Sequence, residues 1–585
     1  MSFLLVLAPA AVVATIAPTA LAAPPTSNGS AEVSYTSSSE TLQVIGSVNL
    51  AQAAATAGSP TTPTTGSSSH GKPRALPLGP PPNAGSTGKP VTRGSYSIEK
   101  GNVAGAIGFD GINGAAQATV NGGVNVGDLE PPDQGTCAGP DAGGNPITIE
   151  IINNAVSAYS TTGSQELGVT PNYALFDQPS TTFLSDPRCY YDASSGRWFF
   201  TEFVVGVPST QFVAVSQTSD PLGNYTVFGI DTTDAGNSAN DCPCYGDFDQ
   251  LGADANGIYI TTNEFNLTGS NYDGTVMYAV SKEGIEAAAS GGPVPSVARY
   301  QISGDAFGTG NYNAPYHLSP STTPPGGTYA PNTEYLVESN SNAPSDDRLI
   351  IYALTGTNVL ATGGIPALGA TLMGSEPYSF PPNASQAPGP IPLGNALGVT
   401  TVQPIATDFN AVQETTYTAG TLYAELSTAA GSVTAPNTAA AWFTIAPSVG
   451  PTGVSAQLVK QGYVASSQSF LYPDIVVDSS GNGYLVFSIA GAAQYPSPGY
   501  IAFHAHAGPT GPVHIAAAGT APEDGFTCYL PEFFPGTPAA PCRWGDYSGG
   551  AVWAGRIYMM AEYIPAIPRD TFTNWGTYIW SAPLH

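Results

Sequence analysis

The 585-residue chain carries 42 Asp and Glu against 14 Lys and Arg, a formal net charge of −28 at pH 7. So acidic a chain lacks the basic groups that a phosphate backbone or an anionic membrane requires, which excludes nucleic acid as a partner. Only 10% of residues are charged while Gly (68), Pro (54) and Tyr (30) abound, a balance that excludes helical bundles and predicts an all-β fold.

The acidity is read as solubility outside the cell, and the scarcity of Lys suits an acidic habitat. Residues 1–22 read as a secretory signal whose apolar run ends in Ala20-Leu21-Ala22. No Lys or Arg precedes that run, so a membrane anchor is the alternative, opposed by Pro9, Pro18 and the short length. No later stretch is long and apolar enough to span a bilayer, and the protein is expected to be secreted and extracellular. Residues 23–93, rich in Ser, Thr, Pro and Gly (GSPTTPTTGSSSHGKP), are predicted to be a disordered leader or stalk, dispensable for folding. Residues 94–585 form the β domain, beginning with weak edge strands in 94–127.

From there one sentence recurs at spacings of several dozen residues, the mark of an array. Each copy has an Asp-bearing approach, an apolar run, a Gly-containing turn and an aromatic return strand. The fullest copy is CRWGDYSGGAVWAGRIYMMAEYI, Cys542 to Ile564; looser copies are Ser185–Phe203, Gly246–Phe265 and Tyr472–Ile489. Approach residues at 133, 186, 247, 316, 408, 474 and 546 mark seven units of about four strands. They predict a seven-bladed β-propeller, with six blades if the Pro131 segment joins the last sheet. Residues 361–400 are a Gly/Pro/Ala tract, an insertion or a crossing. Ring closure is assigned to the strands of 94–127 or to NWGTYIWSA at the C-terminus.

Six Cys in a secreted chain imply disulfides. Cys528–Cys542 is predicted as a local bridge, with Cys137 and Cys189 pairing to Cys242 and Cys244 in either order. A zinc site at Cys242-Pro-Cys244 is the alternative, without a second such pair or a nearby His.

At DASSGRWF (192–199), DANGIYI (254–260) and DSSGNGYL (478–485) the chain resembles secreted propellers with sialidase-like BNR (Asp-box) repeats. The resemblance implies a propeller over residues 130–582, with Asp capping each turn and Gly taking a conformation closed to other residues. Sialidase catalysis does not carry over. It needs three arginines, and only Arg188 and Arg543 occupy approach segments.

In a propeller the approach segments converge on the mouth of a central channel. The candidate catalytic residues are His317, Asp546, Glu562 and Glu264; the candidate substrate-binding residues are Arg543, Arg188, Trp544, Tyr547, Tyr316, Asp247 and Asp186. Asp133, Asp408 and Asp474 complete the approach set. Glu150, Glu202, Glu264, Glu338, Glu425 and Glu562 end aromatic return strands and are expected as an acidic ring or as solvated strand ends. Paired carboxylates suit acid–base work on a glycosidic bond, and calcium is the ion they would take, although the sequence requires no cofactor. Arg543 with His317 would suit a uronic-acid sugar. His504 and His506 stand two apart, on one face of a strand. The reading is a glycan-directed propeller, a polysaccharide hydrolase, lyase or carbohydrate-binding protein, monomeric, with an extracellular glycan or cell-surface partner. The alternative is a non-catalytic surface or adhesion protein using the propeller as a platform.

Overall fold

The computed structural model describes residues 29–30, 33–57, 74–75, 90–91, 95–120, 129–235, 242–267, 272–303, 307, 315–341, 343–567, 569 and 571–584. Residues 1–22, read above as a secretory signal, lie outside these residues. No helix among them is long and apolar enough to cross a membrane.

Runs of Val, Ile, Tyr and Phe form strands that are buried on both faces, as in Arg197–Val204 and Gly483–Gly491. Both faces are covered because each sheet packs between two others. Four-stranded antiparallel runs span 135–171, 184–231, 244–303, 319–379, 412–464 and 469–515, and a three-stranded run spans 549–583. The fourth and fifth runs join through a short parallel pairing of Ser321–Thr322 with Thr415–Thr416, and Gly29–Ser30 on the edge of the fourth run makes the sheet nine-stranded. The Pro131 segment leads into a sheet of its own and does not join the last one.

The first strand of each run touches the first strand of the next, and Gly549–Trp553 of the last touches Gly135–Pro140 of the first. The sheets therefore stand in a closed ring. Apolar clusters fill the gaps: Phe199 with Tyr278 between the second and third runs, Tyr259 with Tyr352 between the third and fourth, Tyr484 with Trp580 between the sixth and last. Tyr159, Met560 and Ile579 close the circle between the last run and the first.

The Asp turns follow the sequence reading. Asp192 Oδ1 accepts the Ser194 and Ser195 N–H groups at 2.7 and 3.1 Å, and Asp254 Oδ1 accepts those of Asn256 and Gly257 at 2.7 and 2.6 Å. Asp478 Oδ1 does the same for Ser480 and Asn482 at 2.9 and 3.0 Å, with Gly481 at φ +80° between them.

Residues 34–57 of the leader are not the unstructured stalk that their composition suggests. Ser34–Thr41 pairs along Ser296–Ser303 and Gln43–Asn49 along Asn224–Asp231, each adding an outermost strand. Leu50–Ala57 follows as a helix with Leu50 buried. The Ser/Thr-rich Ser34–Thr41 serves here because an outermost strand needs ladder hydrogen bonds and one half-covered face, not a core, while Gln43–Asn49 also packs Ile45 and Val48 on the apolar cluster of the first two runs. Further on, Ile98–Lys100 lies beside Gly508–Ile515, and Ile107–Asn113 beside Gly576–Pro583. The two candidates for closing the ring thus pair with each other. Of the 361–400 tract, Ala367–Ser379 is the last strand of its run; the remainder docks on the loop after residue 520, where Leu393 and Gly394 donate to Asp524 at 2.8 and 3.0 Å.

Cys528–Cys542 forms as expected. The other pairing is corrected: Cys137 bonds Cys189, and Cys242 bonds Cys244. The reason is ring geometry. Cys137 and Cys189 lie on adjacent inner strands with Cα atoms 5.7 Å apart, inside disulfide range. The bridge closes a 52-residue separation, worth about 4 kcal/mol in the chain-entropy account.

Two outcomes are expected. Peptide mapping without reductant should recover Cys137–Cys189, Cys242–Cys244 and Cys528–Cys542. A chain starting at Gly94 loses the outer strands Ser34–Thr41 and Gln43–Asn49 and the short Gly29–Ser30 and Arg74–Ala75 pairings, baring the edges they cover; its Tm should fall by roughly 5 °C or more, with increased aggregation. An unchanged Tm would show that the N-terminal strands contribute nothing.

Candidate functional site at the mouth of the ring

A cavity of about 100 Å³ runs along the axis and is lined from every inner strand, by Gly135, Arg188, Gln250, Ser319, Glu414 and Val477 among others. The Cys137–Cys189 bridge forms part of its wall. Arg188 is part of its lining. Its Nη1 pairs with Glu414 Oε1 at 3.0 Å, its Nε donates to the Asp249 carbonyl at 2.9 Å, and its guanidinium lies 3.5 Å from the Tyr547 ring centre.

Above Arg188 the approach segments meet. Six of them place a non-glycine residue in the left-handed region: Asp133, Asp186, Phe248, His317, Asp408 and Tyr472, at φ between +42° and +60°. In three runs this residue opens a bulge, between Ser185 and Arg188, Asp247 and Gln250, and Leu471 and Asp474. Each such residue costs about 1 kcal/mol or more of backbone strain, and side-chain contacts offset it.

Those contacts run round the mouth. Asn153 donates to Asp133 Oδ2 at 2.7 Å and accepts the Asp186 N–H at 2.9 Å. Asp186 Oδ2 accepts the Phe248 N–H at 3.0 Å and the Tyr547 hydroxyl at 3.3 Å. Phe248 stacks on His317 at 3.6 Å, and His317 meets Phe409 edge-on at 4.6 Å. Tyr472 donates to Asp408 at 2.9 Å, and the Asp546 N–H donates to Asp133 Oδ1 at 2.9 Å. Arg543 lies among Asp546, Asp133 and Asp408, with Nη2 3.4 Å from Asp546 Oδ2.

Burial raises Asp133, Asp186, Asp247 and Asp546, and acidic neighbours add to the rise in three of them. Asp133 is pushed up to about 7, by desolvation and then by Asp186. Asp186 rises through desolvation; Asp247 and Asp546 rise through desolvation and then through Asp186 and Asp133 respectively. Burial alone would lower Arg543, but Asp546, Asp133 and Asp408 outweigh it and hold the cation firmly protonated. His317 is 2% exposed, and desolvation, then Arg188, holds its imidazole well below the usual range.

The structure thus gathers His317, Tyr316, Asp546, Arg543, Arg188, Tyr547, Asp186 and Asp247 on one face, Tyr316 stacking on His317 at 4.4 Å. Trp544 lies elsewhere: it is 1% exposed in an apolar cluster with Leu471 and Trp575, its Nε1 bonded to Ser488 Oγ at 3.1 Å. Glu264 turns to its own sheet, accepting from Thr262 at 2.6 Å, and is pushed up to about 7 by burial. Glu562 accepts the Gly545 N–H at 2.6 Å from behind the mouth. The return-strand glutamates are neither solvated ends nor an open ring, since all six are at most 4% exposed. Glu425 accepts N–H groups of Glu414 and of Ile475 in the next run, at 3.1 and 3.3 Å, and Glu338 accepts from Tyr352 at 2.6 Å. His504 and His506 do not share a strand face, because the strand Gln494–His504 ends before His506.

Sequence reasoning missed Phe248, Tyr472, Phe409 and Asn153. The signal was position rather than type, since Phe248 and Tyr472 fall within two residues of the marked Asp247 and Asp474. Among the described residues, one group of three candidate metal ligands lies close together, Cys242, Cys244 and Asp273, and both sulfurs are in the bridge.

A buried neutral His317 should not titrate between pH 5 and 8 when followed by imidazole resonances. His317→Ala, which empties the stack, should cost about 3 kcal/mol, while His317→Phe keeps it and should stay within about 1.5 kcal/mol of wild type. A titration midpoint near 6.5 would show an accessible imidazole.

No protein-family model and no curated protein matches the sequence. Among solved structures the chain is similar to a phage phi92 endosialidase (TM-score 0.29, 9% identity), covering 68% of this chain and 66% of that one. It is similar to a Trypanosoma rangeli sialidase (TM-score 0.29, 9% identity), covering 77% of this chain and 58% of that one. It is also similar to an endo-1,5-alpha-L-arabinanase from Thermotoga petrophila RKU-1 (TM-score 0.22, 10% identity), covering 75% and 96%.

Proposed function

We propose that the protein is a secreted, monomeric, glycan-directed β-propeller of seven blades, with its site at the acidic mouth. The blade count takes the nine-stranded sheet as two blades. The carrying observation is that Asp133, Asp186, Asp247, Asp408 and Asp546, from five different runs, are gathered with Arg543 beside a belt of aromatic rings. Carboxylates bond sugar hydroxyls, and rings stack on sugar faces. A carboxyl held neutral beside one that ionises is an acid–base pair for a glycosidic bond. Asp247, Asp408 and Asp546 are half-buried and form the accessible part of the set. Both arginines are already engaged by acids of the chain, which favours a neutral glycan over a uronic-acid sugar.

A second reading, a non-catalytic adhesion platform, draws on the buried stack of Phe248, His317 and Tyr316 and on the use of Asp133 and Asp186 to tie inner strands together. In that case the ligand lies on another surface.

A polysaccharide panel with the purified chain, run with and without calcium, separates the two. Asp546→Asn and Asp247→Asn should reduce turnover or binding at least tenfold, with Tm within a few degrees of wild type. Activity or binding that survives both substitutions places the site elsewhere and leaves the platform reading.

A further inference from the structure

We propose that one proton shared between Glu130 and Glu523 closes the face behind the mouth, and that the fold is thereby fitted to acidic surroundings. Glu130 and Glu523 are 0% and 1% exposed. Glu130 Oε2 accepts the Thr527 N–H at 2.8 Å, and Glu523 Oε1 accepts the Gly525 N–H at 2.7 Å. Their other oxygens, Glu130 Oε1 and Glu523 Oε2, are buried and receive no N–H or O–H donor from the protein. Both carboxyl groups crowd Gly525, Glu130 Oε1 lying where its Cβ would be and Glu523 Oε1 on its N–H, which brings the two acids within reach of each other. Ionised carboxylates only accept, so the contact requires a proton between them.

The surroundings add negative charge. Glu562, from the strand Arg556–Tyr563, faces both groups, and Asp133 lies beyond it. The cation on this side, Arg569, is bound to the Asp524 carboxylate and donates to the Asp524 carbonyl at 2.8 Å. Tyr529 donates to Asp524 at 2.6 Å, and Gln386 Oε1 accepts the Glu523 N–H at 2.7 Å. The pair thus fastens the entry to the first sheet onto residues 523–527, which lead into the loop closed by Cys528–Cys542 and on which the 380–411 segment is also docked.

Burial raises both carboxyls, with Glu130 adding to the shift on Glu523. The same cause lifts Glu150 and Asp249 to about 7. With 42 acids and 14 Lys and Arg, the chain cannot supply a cation to each buried acid. An acid raised in the folded state binds more protons folded than unfolded. Its stabilisation is complete below the ordinary carboxylate range and declines as pH rises through the folded value.

The test is thermal unfolding of the full chain at pH 4 and pH 8. Wild type should melt at least about 5 °C higher at pH 4. Glu523→Gln supplies a permanent donor, so it should raise Tm over wild type at pH 8 and leave it unchanged or lower at pH 4; Glu130→Gln should do likewise. The proposal is overturned by a wild-type Tm that is flat or rises with pH, or by variants that shift Tm equally at both pH values. Variants that do not fold at pH 4 also overturn it. So does calcium chloride raising the wild-type Tm at pH 8 but not that of Glu523→Gln, because a cation would then hold the pair.

Discussion

Entry of the inner strands through left-handed residues is the constraint on which the mouth depends. An inner strand must turn sharply from the rim onto the axis, and a bulge with one residue at positive φ supplies that turn. Glycine would adopt it freely, yet Asp133, Asp186, Phe248, His317, Asp408 and Tyr472 stand there. Their side chains then face one another and bond across the gaps between sheets. The strain and the contacts belong together: without the neighbouring run, each residue would relax to an ordinary conformation.

Carboxylates do much of the joining in this protein, as acceptors of backbone N–H groups as well as partners of Arg188 and Arg543. Glu425 reaches Ile475 in the next run, Glu562 reaches Gly545, and Glu150 accepts the Ile112 N–H at 2.9 Å. A buried acceptor with a backbone donor fixes geometry without needing a cation, provided the pH permits the protonation state each site requires. The same chemistry makes the joints between the runs depend on pH.

The repeats, the Asp turns, the ring of sheets and the convergence of the approach segments were legible because they rest on local rules. Asp192, Asp254 and Asp478 announce their turns through neighbouring Gly and Ser. The outer strands 34–49 were not legible, because their partners lie some two hundred residues away and their polar composition matches a linker. Trp544 misled for a related reason. A Trp beside a functional-looking Asp has no sequence mark showing that its ring turns inward toward Leu471. The Cys137–Cys189 pairing required knowing which inner strands are neighbours, a property of ring order rather than of spacing.

The outer strands also impose an order of assembly. Residues 34–49 and 107–113 are made first but have nothing to pair with until Ser296–Ser303, Asn224–Asp231 and, last, Gly576–Pro583 exist. Contacts so distant in sequence demand large loop closures, which slow folding. During that interval several sheet edges lie open on a growing chain. The sparse apolar content of the Ser/Thr segments then has a kinetic value: a waiting strand that is soluble while unpaired does not recruit a second copy before its own edge arrives.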